Sequence, residues 1–460
     1  MKTYKKVITH RLHLDEVVAI VLALIFGHKA GIDISKAKIE ISFGNDLPDG
    51  KTSEDLDREG VLCIGEGGGR FDEHGKHGAT AQKCAAVLMA EFLGVADHPT
   101  LNGILKEICD FDRHPTATKT ALGTVIKDRF IAKNKSMESV INWAILGVRD
   151  MVTFFLTENA QMRVDFDAYS AVFNRAWQSA SLDGHWTDEM YGRASRDFVA
   201  SATNGQKLYS DLSYIYYYRA AMSGKEVADA WLYDAAYDAI VYQKKWFLAR
   251  DEFIKNVWVE KSTALIDGCE VMIRVAMIKS DHEVMDKVYR STSALKRCGR
   301  IDCLVQVKSS GNVAIFFNHQ SKLHGDDLAR MLRWAEISLS GRKAHGWEKL
   351  AKSDVLFFVP QWYYHRTDEI GKSGFYNGSL SHPLVQPTRI NPEELLEIVC
   401  HAFHPQGVKV WRKRYNVFDD MSGHVPQARR AHKSDGGPKR ITEGIGMPVL
   451  PADSELKAVS

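Results

Sequence analysis

The stretch Lys6–Glu16 (KVITHRLHLDE), followed by the apolar run Val17–Phe26 (VVAIVLALIF), decides how the chain begins to fold. A short segment that passes from apolar to polar residues leads into an apolar run that stops at Gly27, and this order is typical of a strand followed by a helix. Further along, Lys38–Phe43 alternates like a strand, and Val61–Ile64 is a candidate for a buried strand. These elements predict an α/β domain at the start of the chain.

The composition is that of a folded protein. The chain has 460 residues, of which 45% are hydrophobic and 26% are charged, and its formal net charge is +2. These values exclude a mostly disordered or collagen-like chain. Because the charge is nearly balanced, no bulk charge draws the chain to nucleic acid or to a membrane, and anion binding must come from local patches.

The seven cysteines are odd in number and form no Cys-x-x-Cys pair. This usage argues against a disulfide framework or a zinc finger and favours a reducing compartment. The apolar run near the N-terminus has only about ten residues, too few to span a bilayer. We therefore expect a cytoplasmic protein that has no membrane partner.

The composition and the hydrophobic pattern divide the chain into four regions. Residues 1–130 carry the α/β pattern, residues 131–264 are rich in helical segments with Trp and Tyr, and residues 265–405 return to α/β. Residues 406–460 are rich in Pro, Gly and basic residues, which is typical of a flexible tail. The predicted fold class is therefore α/β, with a helical insertion between an N-terminal domain and a smaller C-terminal α/β domain.

Histidines and carboxylates are concentrated in four short segments of the N-terminal region. These segments are Thr9–Glu16, Gly65–Gly69, Arg70–Gly75 and Cys109–His114. In an extended segment, residues two apart point to the same side, so His13 and Asp15 are expected to share a face. Mixed imidazole and carboxylate ligands suit Mn²⁺, Fe²⁺ or Zn²⁺, and a pair of cations needs several such ligands.

Each residue of these segments also has an ordinary structural interpretation. The chain has 18 His and 58 acidic residues, so some clusters arise by chance. His10 could be a surface residue at the end of a strand, and Asp110 or Asp112 could cap a helix or a turn. The joint pattern of the four segments is more specific than any one of them.

The order of these segments resembles that of the DHH phosphoesterase superfamily and is most similar to its Myg-type (melanocyte-proliferating-gene) exonuclease branch. Thr9–Glu16 is similar to the opening Thr-His…His-x-Asp-Glu segment of that branch, although the intervening stretch is shorter. Asp72-Glu73-His74 corresponds to the Asp-His-His signature, and Thr80–Gly94 corresponds to the helix that follows. The resemblance covers about the first 115 residues. Glu73 replaces the middle His of the signature, and Glu66 replaces the Asp of the second motif.

The resemblance implies a parallel-sheet domain that binds two Mn²⁺ ions, with Mg²⁺ or another divalent cation as an alternative. The implied metal ligands are His10, His13, Asp15, Glu66, Asp72 and Asp112. The implied catalytic residues are Asp72, Glu73 and His74. The implied function is a metal-dependent phosphodiesterase or exonuclease that hydrolyses nucleic acid or short oligonucleotides with water activated by two metals.

Two other functions remain open on the same scaffold. The two Glu replacements are compatible with a catalytically weakened protein that binds nucleotide or nucleic acid, and a small-molecule phosphatase or pyrophosphatase is a third alternative. The helical region could serve as a lid, as a partner-docking surface or as the interface of a homodimer.

The C-terminal α/β region offers one candidate loop for the substrate. DHH enzymes usually pair the metal domain with a smaller domain that presents a Gly-rich, His-containing loop. The best match is Asn377–Pro383, whose substrate-binding candidates are Asn377, Ser379, Ser381 and His382. Small hydroxylic residues and backbone N–H groups beside a His can hold a phosphate, but a surface turn before Pro383 has the same composition.

Overall fold

The computed structural model of the chain describes residues 1–9, 12–42, 47–48, 51–73, 83–113, 121–132, 136–156, 166–182, 186–195, 198, 211–318, 320–342, 346–351, 359–365, 374–376, 386–415 and 417. The protein is of the mixed α/β class, as the sequence predicted. Parallel strands lie near the N-terminus, a mixed sheet lies in the C-terminal part, and helices join the two.

A small parallel sheet organises the N-terminal part. Its elements are, in chain order, β1 (Lys2–Thr3), β2 (Lys6–Thr9), α1 (Leu14–Phe26), a 3-10 turn (Gly27–Ala30), β3 (Ile32–Asp33), β4 (Lys38–Ile41), α2 (Ser53–Arg58) and β5 (Val61–Ile64). β2 lies between β4 and β5 and is parallel to both, whereas β1 pairs with β3. In the register, Thr9 lies opposite both Ile41 and Ile64, so the three strands end at one edge.

The order of these strands predicts where a ligand would bind. The chain passes from β2 to β4 on one side and then to β5 on the other side of β2. Ligands of open parallel sheets bind outside the carboxyl ends of the strands, at the point where the strand order reverses. In this sheet, that point lies between the ends of β2 and β5.

Helix α1 is buried along most of its length. Every residue from Leu14 to Ala23 is buried, which is the usual situation for a helix that is apolar on all sides. The exceptions to the apolar pattern are Asp15 and Glu16 in its first turn, which are also buried. Two carboxylates in such a place need a compensating partner.

Helices dominate the middle of the chain. They are α3 (Ala85–Phe92), α4 (Pro99–Arg113), α5 (Ala121–Ala132), α6 (Met137–Leu156), α7 (Phe166–Ala180), α8 (Asp188–Ser195), α9 (Asp211–Ser223) and α10 (Lys225–Asn256). One buried apolar cluster runs from Tyr4 in the N-terminal part to Ile240 in α10. The packing is therefore continuous across residue 130, where the sequence predicted a domain boundary, and that boundary remains a prediction.

A six-stranded mixed sheet organises the C-terminal part. Its elements are β6 (Trp258–Ile266), β7 (Cys269–Lys279), α11 (Met285–Val288), α12 (Thr292–Cys298), β8 (Cys303–Val307), β9 (Val313–Phe317), α13 (Asp326–Leu339), 3-10 turns at Trp347–Ala351 and Pro360–Trp362, β10 (Tyr364–His365), β11 (Gly374–Tyr376), α14 (Pro392–His401) and α15 (Pro405–Arg414). The strand order is β10-β11-β9-β8-β7-β6, in which β7 and β8 are parallel and the other neighbours are antiparallel. The predicted flexible tail thus begins with a helix.

The two faces of this sheet pack against different helices. Ile273 and Val275 of β7 pack in a cluster with α13, α14 and α15. Ala276 and Ile278 of the same strand pack with the second half of α10 and with α11 and α12. The alternation of side chains along a strand produces this division.

Helix α6 is long and apolar enough, by length and composition, to cross a membrane, and it is the only such helix in the described parts of the chain. More than half of its apolar stretch is buried within the protein. Its buried residues, among them Trp143 and Val148, belong to the same cluster as the N-terminal sheet.

Candidate metal centre

The first group of candidate ligands lies where β2 leads into α1. His13 precedes the helix in an extended conformation, and Glu16 Oε2 accepts a hydrogen bond from the His13 backbone N–H at 3.0 Å. One nitrogen of His13 and one carboxylate oxygen from each of Asp15 and Glu16 lie within 4.8 Å of one another. The extended segment predicted for His13 and Asp15 is wrong, because the helix already begins at Leu14, but the two side chains still meet.

The second group adds acids from distant parts of the sequence. One oxygen from each of Asp15, Glu73 and Asp112 lies within 4.8 Å of the others. Asp112 lies in helix α4, next to its last residue. Asp15 belongs to both groups, as expected for a carboxylate that bridges two cations. We call these five residues, His13, Asp15, Glu16, Glu73 and Asp112, the acidic centre.

A glycine-rich loop after β5 brings Glu73 to the acidic centre. The Gly65 N–H donates to the Phe71 carbonyl at 2.8 Å, and the Gly68 N–H donates to Asp72 Oδ2 at 2.6 Å. Gly65 has a φ of +69°, and a Cβ at this position would lie 2.8 Å from Cγ of Glu16. The loop therefore packs directly against the first turn of α1, and this approach requires glycine.

Asp15 is the most enclosed carboxylate of the acidic centre. Its side chain is 1% exposed, and Oδ2 accepts a hydrogen bond from the Ala85 N–H, at the start of α3, at 3.3 Å. Oδ1 is buried and has no hydrogen-bond partner among the described residues. The positive end of the α3 dipole favours a negative charge on Asp15. One oxygen therefore remains available to a cation.

Burial and mutual repulsion control the protonation of these acids. Burial raises the pKa of Asp15 to about 8, and the carboxylates of Asp112 and Glu73 contribute to the rise. Burial also raises the pKa of Glu73 to about 7 and raises the pKa of Glu16 well above its ordinary value. Carboxylates that share a dry site cannot all be ionised without compensation. Divalent cations would provide that compensation.

The donor set fits hard or borderline cations. Within the described residues, the first group combines the imidazole of His13 with two carboxylates, the second group contains carboxylates alone, and no cysteine sulfur joins either group. Oxygen donors suit Mg²⁺ and Mn²⁺, and imidazole suits Mn²⁺, Fe²⁺ and Zn²⁺. The composition of the acidic centre is therefore compatible with Mn²⁺.

The other residues proposed from the sequence lie in different places. Glu66 is buried and adds to the high pKa of the nearby Cys63 thiol, which burial raises to about 12. Asp72 is buried and holds the glycine-rich loop closed. Neither belongs to the two groups of ligand atoms. Six further candidates lie outside the described residues: His10, His74, Asn377, Ser379, Ser381 and His382.

Sequence reasoning did not single out Glu16 as a ligand. The sequence pattern points to its neighbour Asp15, which shares a face with His13 in an extended segment. Because the segment forms the first turn of a helix instead, residues 13 and 16 lie on the same side, and Glu16 becomes a candidate ligand. The side chains of His13 and Glu16 meet, with Nδ1 of His13 3.7 Å from Oε1 of Glu16.

A shallow cavity of about 590 Å³ lies elsewhere, between α6, α9 and α10. Trp143 and Trp231 line it and stack on each other with ring centroids 4.8 Å apart. None of its lining residues belongs to the acidic centre. The cavity therefore adds nothing to the chemistry of the acidic centre.

Comparisons with known proteins do not identify a family. No protein-family model matches the chain, and no curated protein matches it. Among solved structures, the chain is similar to the crystal structure of an uncharacterized protein from Helicobacter pylori G27, at 11% identity, covering 86% of this chain and 98% of that one, with a TM-score of 0.19. A TM-score this low carries no argument about fold or function.

Proposed function

We propose that the chain is a divalent-metal-dependent phosphoesterase of the DHH type that hydrolyses nucleic acid or short oligonucleotides in the cytoplasm. The observation that carries the proposal is that Asp15 belongs to both groups of candidate metal ligands. This one buried carboxylate lies within 4.8 Å of donor atoms in two groups of three ligands. Both groups lie where the strand order of the parallel sheet reverses, which is the usual location of a ligand site.

The residues of the acidic centre would hold two cations. His13, Asp15 and Glu16 would bind one ion, and Asp15, Glu73 and Asp112 would bind the other. When bound, a pair of divalent cations lowers the pKa of water and neutralises the charge on phosphoryl oxygens. Mn²⁺ is our first choice because the donors combine imidazole and carboxylate.

The protein's own groups position the substrate and limit access to water. Asp15 and Glu16 are buried, whereas His13, Glu73 and Asp112 are half-buried. Among the described residues, the acidic centre is therefore most enclosed at Asp15 and Glu16 and less enclosed at His13, Glu73 and Asp112. A phosphoester would approach from the less enclosed side.

A protein that binds nucleic acid without cleaving it is the main competitor. The observation in its favour is Glu73, which lies next to Asp15 and Asp112 where the resembled signature has a histidine. Glu73 can still bind a cation, but it does not reproduce the histidine of the signature, so cation binding does not guarantee cleavage. Cleavage and cation binding must therefore be measured separately.

The test uses isosteric variants of the shared and the distant ligand. We expect Asp15→Asn and Asp112→Asn to lower Mn²⁺-dependent cleavage of short single-stranded RNA and DNA by about 100-fold or more, since each removes a charged ligand. The matched control is Asp110→Asn, on the same helix as Asp112 but outside both groups, and it should cleave like the wild type.

Calorimetric titration with Mn²⁺ completes the test. Wild-type protein that binds two ions and releases mononucleotides supports the proposal. Two bound ions without cleavage of RNA, DNA or cyclic dinucleotides would favour the non-cleaving binder. Release of inorganic phosphate from small phosphate compounds instead of mononucleotide would indicate a phosphatase or pyrophosphatase. Full activity of Asp15→Asn would refute the assignment of the acidic centre.

A further inference from the structure

Helix α5 turns a lysine towards the acidic centre. Between Leu122 and Phe130 of this helix, Thr124 and Lys127 are half-buried and all other residues are buried. α5 contacts α1, which carries Asp15 and Glu16. α5 thus packs against the helix that supplies two of the buried acids, and Lys127 is one of two residues in this part of α5 that are not fully buried.

The charge of Lys127 acts on the same carboxylates that form the two ligand groups. Burial lowers the pKa of Lys127, and Asp112, Glu16 and Asp15 oppose this effect, in that order. Lys287 from α11 repels Lys127 and adds to the lowering. Lys127 thus interacts electrostatically with the acids of the acidic centre and with the ammonium group of Lys287.

Lys127 is nevertheless not bound to any of these acids. Its Nζ lies 5.3 Å from the ring centroid of Phe111, the residue before Asp112. Among the described residues, no carboxylate forms an ion pair or hydrogen bond with Lys127. A counter-ion that only neutralised the acids would be expected at ion-pair distance. A cation–π contact with the ring of Phe111 instead fixes the position of the ammonium group.

We propose that Lys127 is a substrate-binding residue that holds a phosphate of the substrate next to the cations of the acidic centre. This inference rests on the proposed function. An ammonium group is a typical point-charge ligand for phosphate. Once cations neutralise the acids, the ammonium of Lys127 becomes available to an anion, and its side chain, which lies over Phe111 and is not fully buried, leaves room for a phosphate to approach. The helical region of the chain would then complete the binding site of the N-terminal sheet.

The test measures phosphate binding and Mn²⁺ binding on the same full-length protein. The probes are inorganic phosphate and a fluorescent five-nucleotide single strand, each bound in saturating Mn²⁺. We expect Lys127→Met to weaken both by about 10-fold or more and to raise KM more than it lowers kcat, because a charge-assisted contact is lost. Lys127→Arg should keep most of the affinity. Lys106→Met, at an exposed position of α4, is the matched control.

Mn²⁺ binding distinguishes this inference from the proposed function. Lys127→Met should still bind the wild-type number of Mn²⁺ ions, with equal or higher affinity, since a nearby positive charge is removed. If its phosphate affinity equals that of the wild type, or if it loses Mn²⁺, the role of Lys127 is refuted and the proposed function stands. Wild-type protein without bound Mn²⁺ would refute both. Should the Met variant not fold, Lys127→Gln provides the same comparison.

Discussion

At the scale of single residues, the decisive feature is the position of Asp15. Its carboxylate is enclosed by α1 and by the start of α3, and it faces two further acids that arrive from other elements. Burying a charge is costly unless it is paired, so the cation-free protein relieves the cost by holding protons. Binding of a divalent cation would displace those protons. The acidic centre is therefore a place where proton binding, cation binding and folding stability are coupled.

This coupling predicts a pH dependence of stability. The pKa of Asp15 is raised from 3.8 to about 8 and that of Glu73 from 4.5 to about 7, so between pH 4 and 8 the folded state binds more protons than the unfolded state. Stability contributed by these protons is complete below pH 4 and is lost as the pH rises through 7 and 8. In EDTA, we expect the Tm of the wild type to fall by about 2–5 °C more than that of Asp15→Asn between pH 5 and 8.5.

Thermal unfolding with and without Mn²⁺ checks this expectation. Added Mn²⁺ should raise the Tm of the wild type most strongly at pH 8.5, where cations no longer compete with protons for the carboxylates. Equal pH profiles for the wild type and Asp15→Asn in EDTA would mean that the buried acid does not contribute to the coupling.

At the scale of elements, the acidic centre is made by a helix start, a loop and a helix end. The first turn of α1 supplies Asp15 and Glu16, the loop after β5 supplies Glu73, and the last turn of α4 supplies Asp112. The glycine-rich loop makes the closest of the contacts between these elements, at Glu16 in the first turn of α1. It passes so close to Glu16 that the absence of a side chain at Gly65 is required.

Two alanine substitutions in this loop separate backbone strain from the contact with Glu16. Gly65 and Gly68 have φ values of +69° and +67°, so alanine at either position costs about 1–2 kcal/mol of stability. Only at Gly65 would the new Cβ meet a neighbour, 2.8 Å from Cγ of Glu16, whereas nothing lies within 4 Å at Gly68. We expect Gly65→Ala to weaken Mn²⁺ binding about 10-fold and Gly68→Ala to leave it unchanged.

Calorimetric titration and chemical denaturation of both variants provide the measurement. Comparable losses of stability with a selective loss of Mn²⁺ affinity in Gly65→Ala would support the predicted contact. Equal Mn²⁺ affinity in the two variants would show that Glu16 does not contribute to cation binding.

At the scale of the whole molecule, helix α10 connects the two sheets. Its 32 residues correspond to a length of about 48 Å. Its first half packs in the cluster that contains the N-terminal sheet, and its second half packs against β7 and β8 of the C-terminal sheet. A buried ion pair connects α5 to the first half of α10. Nε of Arg129 in α5 lies 3.0 Å from Oδ2 of Asp238 in α10. Both side chains are almost completely inaccessible to solvent.

Breaking this ion pair should destabilise the protein strongly. Arg129→Met leaves the Asp238 charge buried and removes the guanidinium that lies 4.5 Å over the ring of Trp143, so we expect a loss of about 3–5 kcal/mol. The double variant Arg129→Met/Asp238→Asn should be more stable than Arg129→Met alone, because the buried charge of Asp238 is removed together with that of Arg129.

Denaturant unfolding of the two single variants and the double variant provides the measurement. Lys2→Met, which breaks a largely exposed ion pair with Asp57, is the control and should have a much smaller effect. Additive losses in Arg129→Met and Asp238→Asn would show that the two charges do not stabilise each other.

Local sequence was sufficient for the elements and for part of the acidic centre. The apolar run that ends at Gly27, the strand Val61–Ile64 and the mixed α/β class follow from periodicity and stop signals, which act between residues close in the chain. His13, Asp15, Glu73 and Asp112 were all identified as candidates, and the fold brings them together. Glu66 and Asp72 were identified by the same reasoning, but they lie outside the two ligand groups.

Tertiary structure alone decided which of these acids meet and what lies beside them. Asp15 and Asp112 are almost a hundred positions apart, and no periodicity relates them; their contact depends on the path of α4 past the start of α1. Lys127 belongs to no sequence motif. Only the packing of α5 on α1 brings its charge within electrostatic range of the acids. The physical reason is that hydrophobic periodicity is a property of neighbours along the chain, whereas electrostatic interaction depends on distance in space.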